Sequence, residues 1–216
     1  MRISELSSRS GVPVASIKFY LREGLLAAGE RSSPNQAEYA DDHVTRLRLI
    51  RAFLEVGGLS IAAARDVLAA LDDDTVPFGE TAAIASQAIP AGPARGGDAD
   101  HGGATVVADL VRRRGWHVSA ENPGLGLAAR VVDDYRALGR DDLLATLDVY
   151  ADAAERVAAA DLAAVAATPD RADRTQTIVV GTVLGDALLA GLRRLAHENA
   201  SSSVFPVSGH HEGVDS

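Results

Sequence analysis

Apolar residues recur at helical spacing along most of the chain, and glycine and proline divide the pattern into short segments. Near the start, RISELSSRS predicts a first helix capped by Ser4. Gly11 is placed to end this helix in the left-handed conformation that glycine tolerates. A second helix is predicted at about 15–23, and Gly24 ends it. Two short helices joined by a tight glycine-containing turn are typical of a helix-turn-helix.

The second helix has two distinct faces at about 100° per residue. Ile17 and Tyr20 fall on the buried side, whereas Phe19 projects the other way. The outer face therefore combines a ring with Ser16, Lys18 and Arg22. Cations and hydroxyls contact phosphates or base edges in the major groove, and a ring packs on sugar or a thymine methyl. The alternative is that Phe19 packs against a partner domain.

Residues 25–71 complete a compact unit. Arg31 to Tyr39 predicts a small β-hairpin, or wing, with Pro34 and Asn35 as turn residues. A third helix is predicted to begin at Asp41-Asp42 and to end before Gly57-Gly58. Ser60 then caps a fourth helix. Four helices and one wing within 71 residues are expected.

These segments resemble the DNA-binding domain of the MerR family over residues 1–71. The resemblance is carried by MRISELSSRSGVPVASIKFYLREGLL, with paired aromatics before EGLL, and by YADDHVTRLRLIRAFLEVGGLSIAAARDVLAAL, which contains the GG/GLS helix pair. The family implies a winged helix-turn-helix whose second helix lies in the major groove. It also implies a dimer that bends and undertwists a promoter spacer to activate transcription. Simple repression by occupancy is the mechanistic alternative.

The resemblance carries DNA contacts over to specific positions. Ser16, Lys18, Phe19 and Tyr20 match the family's usual Thr/Ser, Arg, Tyr and Tyr. Arg22 is a further phosphate candidate, and Tyr39 matches the terminal tyrosine of the wing. The chain departs from the pattern in having Ala37 where arginine is common, Gln36 for an aromatic, and lysine and phenylalanine at positions 18 and 19. Arg31 is expected to compensate from the other side of the wing.

The second half reads as a separate helical domain. Residues 72–103 are rich in proline and glycine and predict a linker, with one short helix at 80–88, in place of the family's long coiled-coil helix. Residues 104–199 predict four helices, at 104–116, 124–139, 140–167 and 175–200. Arg112-Arg113-Arg114 reads as a solvated helix end rather than a second DNA contact. Residues 200–216 predict a flexible tail.

The last of these helices is the predicted dimer interface. It is apolar nearly all round, which is typical of a helix buried on all sides, and its glycines allow close helix approach. The predicted interface residues are Val180, Val183, Leu184, Ala187, Leu188 and Gly191.

This helical half loosely resembles the dimerising, ligand-binding domain of TetR-type regulators. That resemblance implies dimerisation through the C-terminal helix and a cavity for a small-molecule effector. Trp116, Tyr135 and Tyr150 are the candidate cavity residues because they are the large rings of this domain. Ordinary core or surface positions are the alternative for each ring.

Charge and composition narrow the function. The net charge is −9, but residues 1–70 carry nine basic and eight acidic residues, whereas residues 71–216 carry 12 and 22. Electrostatic repulsion of nucleic acid therefore lies in the second half. The chain has no cysteine and no signal-peptide layout, and its apolar runs are expected to be too short and too interrupted to cross a bilayer. A cytoplasmic protein without membrane contact is expected.

No cofactor, metal site or catalytic group is predicted. Without cysteine there can be no thiolate or iron–sulfur sensor. His43, His101, His117 and His197 lack ligand spacing, and adjacent His210 and His211 in a tail are weak evidence for a metal.

The predicted fold is mainly α, with a winged helix-turn-helix followed by a bundle-like dimerisation and effector domain. The predicted function is a dimeric, non-enzymatic DNA-binding regulator that recognises a pseudo-palindromic promoter site. Its expected partners are double-stranded DNA, a second copy, RNA polymerase at the promoter and a small-molecule effector. The alternative is an adaptor that uses the helix-turn-helix for a protein partner.

Overall fold

The structure, a computed structural model, describes residues 1–33, 36–90 and 102–204, and its fold is mainly α. The first elements are α1 (Ile3–Ser10), α2 (Val14–Arg22), β1 (Glu30–Ser33), β2 (Gln36–Glu38), α3 (Asp41–Arg51), a π-helical turn (Ala52–Val56), α4 (Ile61–Asp72) and α5 (Phe78–Ala88). The remaining elements are α6 (Gly103–Arg114), α7 (Pro123–Ala137), a 3₁₀ turn (Asp141–Thr146), α8 (Leu147–Ala166) and α9 (Arg171–Val204).

Local signals account for most helix ends in the first unit. Gly11 ends α1 with φ of 71°, and its N–H donates to the Ser7 carbonyl, as predicted. The Ser60 hydroxyl caps α4 by accepting from the Ala63 N–H at 3.1 Å. The predicted Ser4 cap is wrong, because α1 begins at Ile3 and Ser4 lies inside the helix.

The wing is the predicted antiparallel hairpin. Arg31 on β1 is paired with Ala37 on β2. The predicted turn residues Pro34 and Asn35 lie outside the described residues. The chain start is tied to the wing, because the Met1 ammonium donates to the Tyr39 carbonyl at 2.7 Å and the Tyr39 N–H donates to the Met1 carbonyl at 2.9 Å. The wing and α1 are thereby held in one unit.

The core of the first unit is completed by the last helix of the chain. Leu6, Ile17 and Phe53 are fully buried, as the helical pattern predicts for Leu6 and Ile17. Val179 and Val183 on α9, together with Ala85 on α5, belong to the same apolar cluster. The helix-turn-helix unit thus packs against α5 and the first half of α9.

This packing bears on two predictions about α9. In the protomer alone, Leu188, Leu192 and Leu195 are 64%, 53% and 65% exposed, so burial of the helix on all sides stays a prediction that depends on the dimer. Val183, predicted to lie in a dimer interface, is 1% exposed and lies inside the protomer core. The pattern along one helix cannot distinguish an intrachain contact from an interchain one.

Gly57 marks the point where α9 approaches most closely. Its φ is −72°, which any residue adopts, so backbone conformation does not require glycine here. Space does require it: a Cβ at Gly57 would overlap Val183 Cγ1 and lie 2.9 Å from the Phe53 carbonyl oxygen. The absence of a side chain at residue 57 therefore allows α9 to dock.

We expect Gly57→Ala to lower the midpoint of thermal unfolding and Val183→Ala to recover part of that loss. Overpacking of this kind costs about 1–3 kcal/mol, and removing the Val183 methyl groups makes room for the new Cβ. Unfolding of the single and double variants, followed by circular dichroism, gives the coupling energy. Strictly additive losses would contradict the contact.

The second half departs from the predicted boundaries at two places. The single helix predicted at 140–167 is a 3₁₀ turn followed by α8. The flexible tail is predicted to begin at residue 200, but α9 continues as helix to Val204. Residues 205–216 of the predicted tail and residues 91–101 of the predicted linker lie outside the described residues. The short helix predicted at 80–88 exists as α5, from Phe78 to Ala88.

Within this half, α6 packs on α7 around Val107, Leu110 and Val132, and α8 packs on α9.

One helix of the described chain, Arg171–Ser202, is long and apolar enough to cross a membrane by its length and composition. The expectation that every apolar run is too short is therefore wrong.

Candidate nucleic-acid interface

The second helix of the helix-turn-helix is held by its inner face. Ile17 is fully buried against the domain core. On the opposite side, Ala15, Lys18 and Arg22 are exposed, and Ser16 is half-buried. The outer face of α2 thus offers the small polar and cationic side chains expected from the sequence.

Phe19 lies less openly than the helical wheel predicts. Its ring is half-buried, with the Tyr20 ring 5.9 Å away between centroids and the Arg22 guanidinium 5.8 Å from its centroid. Guanidinium contacts with a ring face are attractive at this distance. Phe19 therefore supports Arg22 on the outer face as well as forming part of the surface.

Tyr20 has a partly structural position, in keeping with the wheel. Its ring is half-buried, and this burial raises the pKa of its phenol above the ordinary value. The nearby Glu55 carboxylate raises the pKa further. The hydroxyl therefore stays neutral at neutral pH and can donate a hydrogen bond.

The arginines around α2 form ion pairs with carboxylates, unlike the two cations on α2 itself. Arg9 pairs with Asp41 at 2.6 Å, Arg46 with Asp72 at 2.6 Å, and Arg65 with Glu23 at 3.0 Å. By contrast, Lys18 and Arg22 have no carboxylate partner among the described residues. Their charges remain available to an anionic ligand.

Tyr39 does not form the open contact surface that the resemblance implies. Its ring is 8% exposed and packs edge-on against His43 with centroids 5.3 Å apart. A Cβ at Gly29 would lie 3.0 Å from two ring carbons. The ring therefore closes the wing onto α3, and its direct role is structural. Arg31 lies on β1, but its side chain is outside the described part of the structure.

The triple arginine of α6 is engaged by acids. Arg114 pairs with Asp148 at 2.9 Å and with Asp152, and Arg112 pairs with Asp109 at 2.8 Å. The hydrogen bonds that Arg114 donates to Asp152 and Asp148 raise the pKa of its guanidinium. The two Arg114 pairs connect α6 to α8, which agrees with the helix-end interpretation over a second DNA contact.

None of the three rings predicted to line an effector cavity borders either of the two cavities described in this paragraph. Trp116 Nε1 donates to Glu155 at 2.8 Å, Tyr150 OH accepts from Arg193, and Tyr135 is half-buried on α7. Two cavities in the described chain lie elsewhere, one beside α3 and one between α4 and α5. The assignment of these rings to an effector stays a prediction.

Sequence reasoning missed the set of charged residues where the first unit meets α9. Arg46, Asp72, Asp42 and Asp173 border one of these cavities. These residues are far apart in the chain, so no local spacing in the sequence predicts that they lie together.

The fold and the free cations of α2 define a winged helix-turn-helix DNA-binding protein. Two comparisons agree with this class. The profile of the family described as "MerR HTH family regulatory protein" matches residues 1–71. The structure is similar to the crystal structure of the putative transcriptional regulator SCO5550 from Streptomyces coelicolor A3(2), with 32% identity, a TM-score of 0.67, and coverage of 97% of this chain and 100% of that one. Comparison with curated proteins found no match. The chain belongs to the MerR family of DNA-binding regulators.

Proposed function

We propose that this protein is a homodimeric, cytoplasmic transcriptional regulator that places α2 of each protomer in successive major grooves of a pseudo-palindromic promoter site. The observation that carries the proposal is the pair of cations Lys18 and Arg22, which have no carboxylate partner in the described part of the chain and lie on the exposed face of a helix whose other face is anchored by Ile17. Phosphate contacts from such side chains set the register of a recognition helix. RNA polymerase at the promoter and a small-molecule effector complete the proposed partners.

The dimer proposal rests on the second half of α9. Leu188, Leu192 and Leu195 follow the i, i+4, i+7 spacing of one helix face and are exposed in the protomer. Three exposed leucines on one face are costly in water and are usually covered by a partner. Of the predicted interface residues, Leu188 lies on this face, whereas Val183 does not.

A bilayer is a poorer cover for α9 than a second copy. The apolar stretch that could cross a membrane includes Val179 and Val183, which lie in the core of the helix-turn-helix unit. Insertion of α9 would remove both side chains from that core. A second protomer can cover the leucines and leave this packing intact.

The proposal is tested on DNA that the full-length protein selects itself. Sheared genomic DNA is captured at two salt concentrations and sequenced. Enrichment of one inverted repeat that survives the higher salt supports the proposal. The spacing of this repeat relative to promoter elements separates activation by distortion from repression by occupancy. No enrichment, with retention of a protein partner, would favour the adaptor.

For the recovered site, we expect Lys18→Ala and Arg22→Ala each to weaken binding of the dimer by about tenfold and to lower the magnitude of the slope of log K against log salt by about two. The reason is the loss of one phosphate contact per protomer. Fluorescence anisotropy measures both quantities. Arg156→Ala, which removes an exposed charge from α8, is the matched control and should change neither. Equal affinities of the wild type and the three variants for DNA would show that α2 is not the helix that contacts DNA.

A further inference from the structure

A cleft of about 610 Å³ lies between the helix-turn-helix unit and the first turns of α9. Its apolar lining includes Leu25 and Leu26, which are almost fully buried, together with Leu49 and Leu71. This volume lies within the range of about 300–1,000 Å³ that is typical of small-molecule sites. The cleft can hold a small molecule that has an apolar body.

The charged groups around this apolar lining are mainly acidic. Asp42, Asp72 and Asp173 line the cleft, and Arg46 is the one arginine or lysine among its lining residues. Arg46 is already neutralised: its guanidinium donates to the two Asp72 carboxylate oxygens at 2.8 and 2.6 Å, and its Nε donates to the Leu25 carbonyl at 3.1 Å. Two carboxylates, Asp42 and Asp173, are therefore not balanced by a neighbouring arginine or lysine of the lining.

Asp42 is in contact with His43, the next residue in the chain. His43 Nδ1 lies 2.8 Å from its carboxylate, and this hydrogen bond is the main cause that lowers the pKa of Asp42. Asp42 is thus ionised at neutral pH, and most of its side chain faces solvent.

Asp173 has no ion-pair or side-chain hydrogen-bond partner among the described residues. Arg171 and Arg174, in the same turn of α9, are directed away to backbone carbonyls: Arg171 donates to Asp74, and Arg174 donates to Thr168 and Pro169. A carboxylate in the first turn of a helix also interacts favourably with the helix dipole. That effect does not require Asp173 to border an apolar cleft, and the helix is already capped by Asp170.

We propose that this cleft binds a small organic cation whose apolar body lies on the leucine lining and whose charge lies beside Asp173 and Asp42. Both carboxylates are exposed to solvent, so each ionic contact is expected to be of the modest strength that is typical of exposed ion pairs. As an effector site, the cleft rests on the proposed regulatory function; as a binding site, it does not.

The position of the cleft gives a bound cation a route to both functional surfaces. Gly24 and Leu25 follow α2 directly. On the other side, Asp173 and Gln176 of the cleft precede Val179 and Val183 by one to three helical turns, and α9 then continues to the exposed leucines. A ligand between these elements contacts both the reading unit and the helix that leads to the proposed dimer face.

The experiment uses three probes that differ only in the end group: 4-phenylbutylammonium, 4-phenylbutanol and 4-phenylbutyrate. Calorimetry with the full-length protein, without DNA, measures each affinity. We expect the ammonium to bind at least about tenfold more tightly than the alcohol, and the carboxylate not to bind. Asp173→Asn should weaken ammonium binding by about threefold or more and leave the alcohol unchanged.

Asp186→Asn is the matched control, because Asp186 is exposed on the same helix and does not line the cleft. Equal binding of the ammonium and the alcohol would overturn the proposal, as would preferred binding of the carboxylate or equal effects of the two substitutions. Absence of binding by all three probes would also overturn it. Since no DNA is present, each of these outcomes is distinct from failure of the α2 variants to alter DNA binding.

Discussion

Val183→Asp is expected to lower the free energy of unfolding by more than about 3 kcal/mol. The substitution places a carboxylate at a position that is 1% exposed, among Gly57, Leu59 and the Phe53 carbonyl. The cost combines desolvation of the charge with loss of packing. Urea unfolding of the full-length protein, followed by circular dichroism, measures it.

The informative outcome concerns the helix-turn-helix unit. Because Val183 belongs to its core, DNA binding should be lost together with folding, although residue 183 is more than 100 positions away from the unit in sequence. A Val183→Asp protein that unfolds at the wild-type urea concentration would show that α9 does not complete this core.

Leu192→Asp, nine residues further along the same helix, should have a different effect. Leu192 is 53% exposed in the protomer, so a carboxylate there can remain hydrated and the protomer can fold. In the proposed dimer the same charge would be buried in an apolar interface without a partner. We expect the dimer dissociation constant to rise by about 100-fold or more, and sedimentation equilibrium measures it.

The control for this substitution is Val118→Asp. Val118 is also an exposed apolar residue, 42% accessible, but it lies in the α6–α7 connection, away from α9. Its dimer should be unchanged. If Leu192→Asp remains as dimeric as wild type, the interface lies on another face. If wild type is a monomer throughout the concentration range, the dimer proposal fails.

The opposite outcomes expected at residues 183 and 192 show where sequence reasoning about α9 stops. Both valine and leucine contribute to a helix that is apolar nearly all round, a pattern that indicates a need for cover on every face. Hydrophobic periodicity does not say which chain provides the cover. In the structure, the helix-turn-helix unit and α5 cover the first half, whereas the leucines of the second half are exposed in the protomer.

The candidate DNA-binding face was more accessible to prediction. The 3.6-residue periodicity of a helix predicts that Ile17 lies on the inner face and that Lys18 and Arg22 lie on the outer face. Because α2 has only nine residues, small deviations from this period do not change which face each residue occupies. The state of those charges was not predictable. Among the described residues Lys18 and Arg22 have no carboxylate partner, and the nearby Glu23 accepts from Arg65 on α4, a contact between residues 42 positions apart.

The sequence by itself determined the local order of the first unit: a helix ended by Gly11, a recognition helix, a wing, and a helix capped at Ser60. These features depend on interactions within about eight residues, and the residue types at those positions specify them. The tertiary structure decided the burial of Tyr39, the docking of α9 at Gly57, and the cleft bordered by Asp42 and Asp173. Each of these joins residues distant in the chain, so its energy depends on packing that exists only in the folded protein.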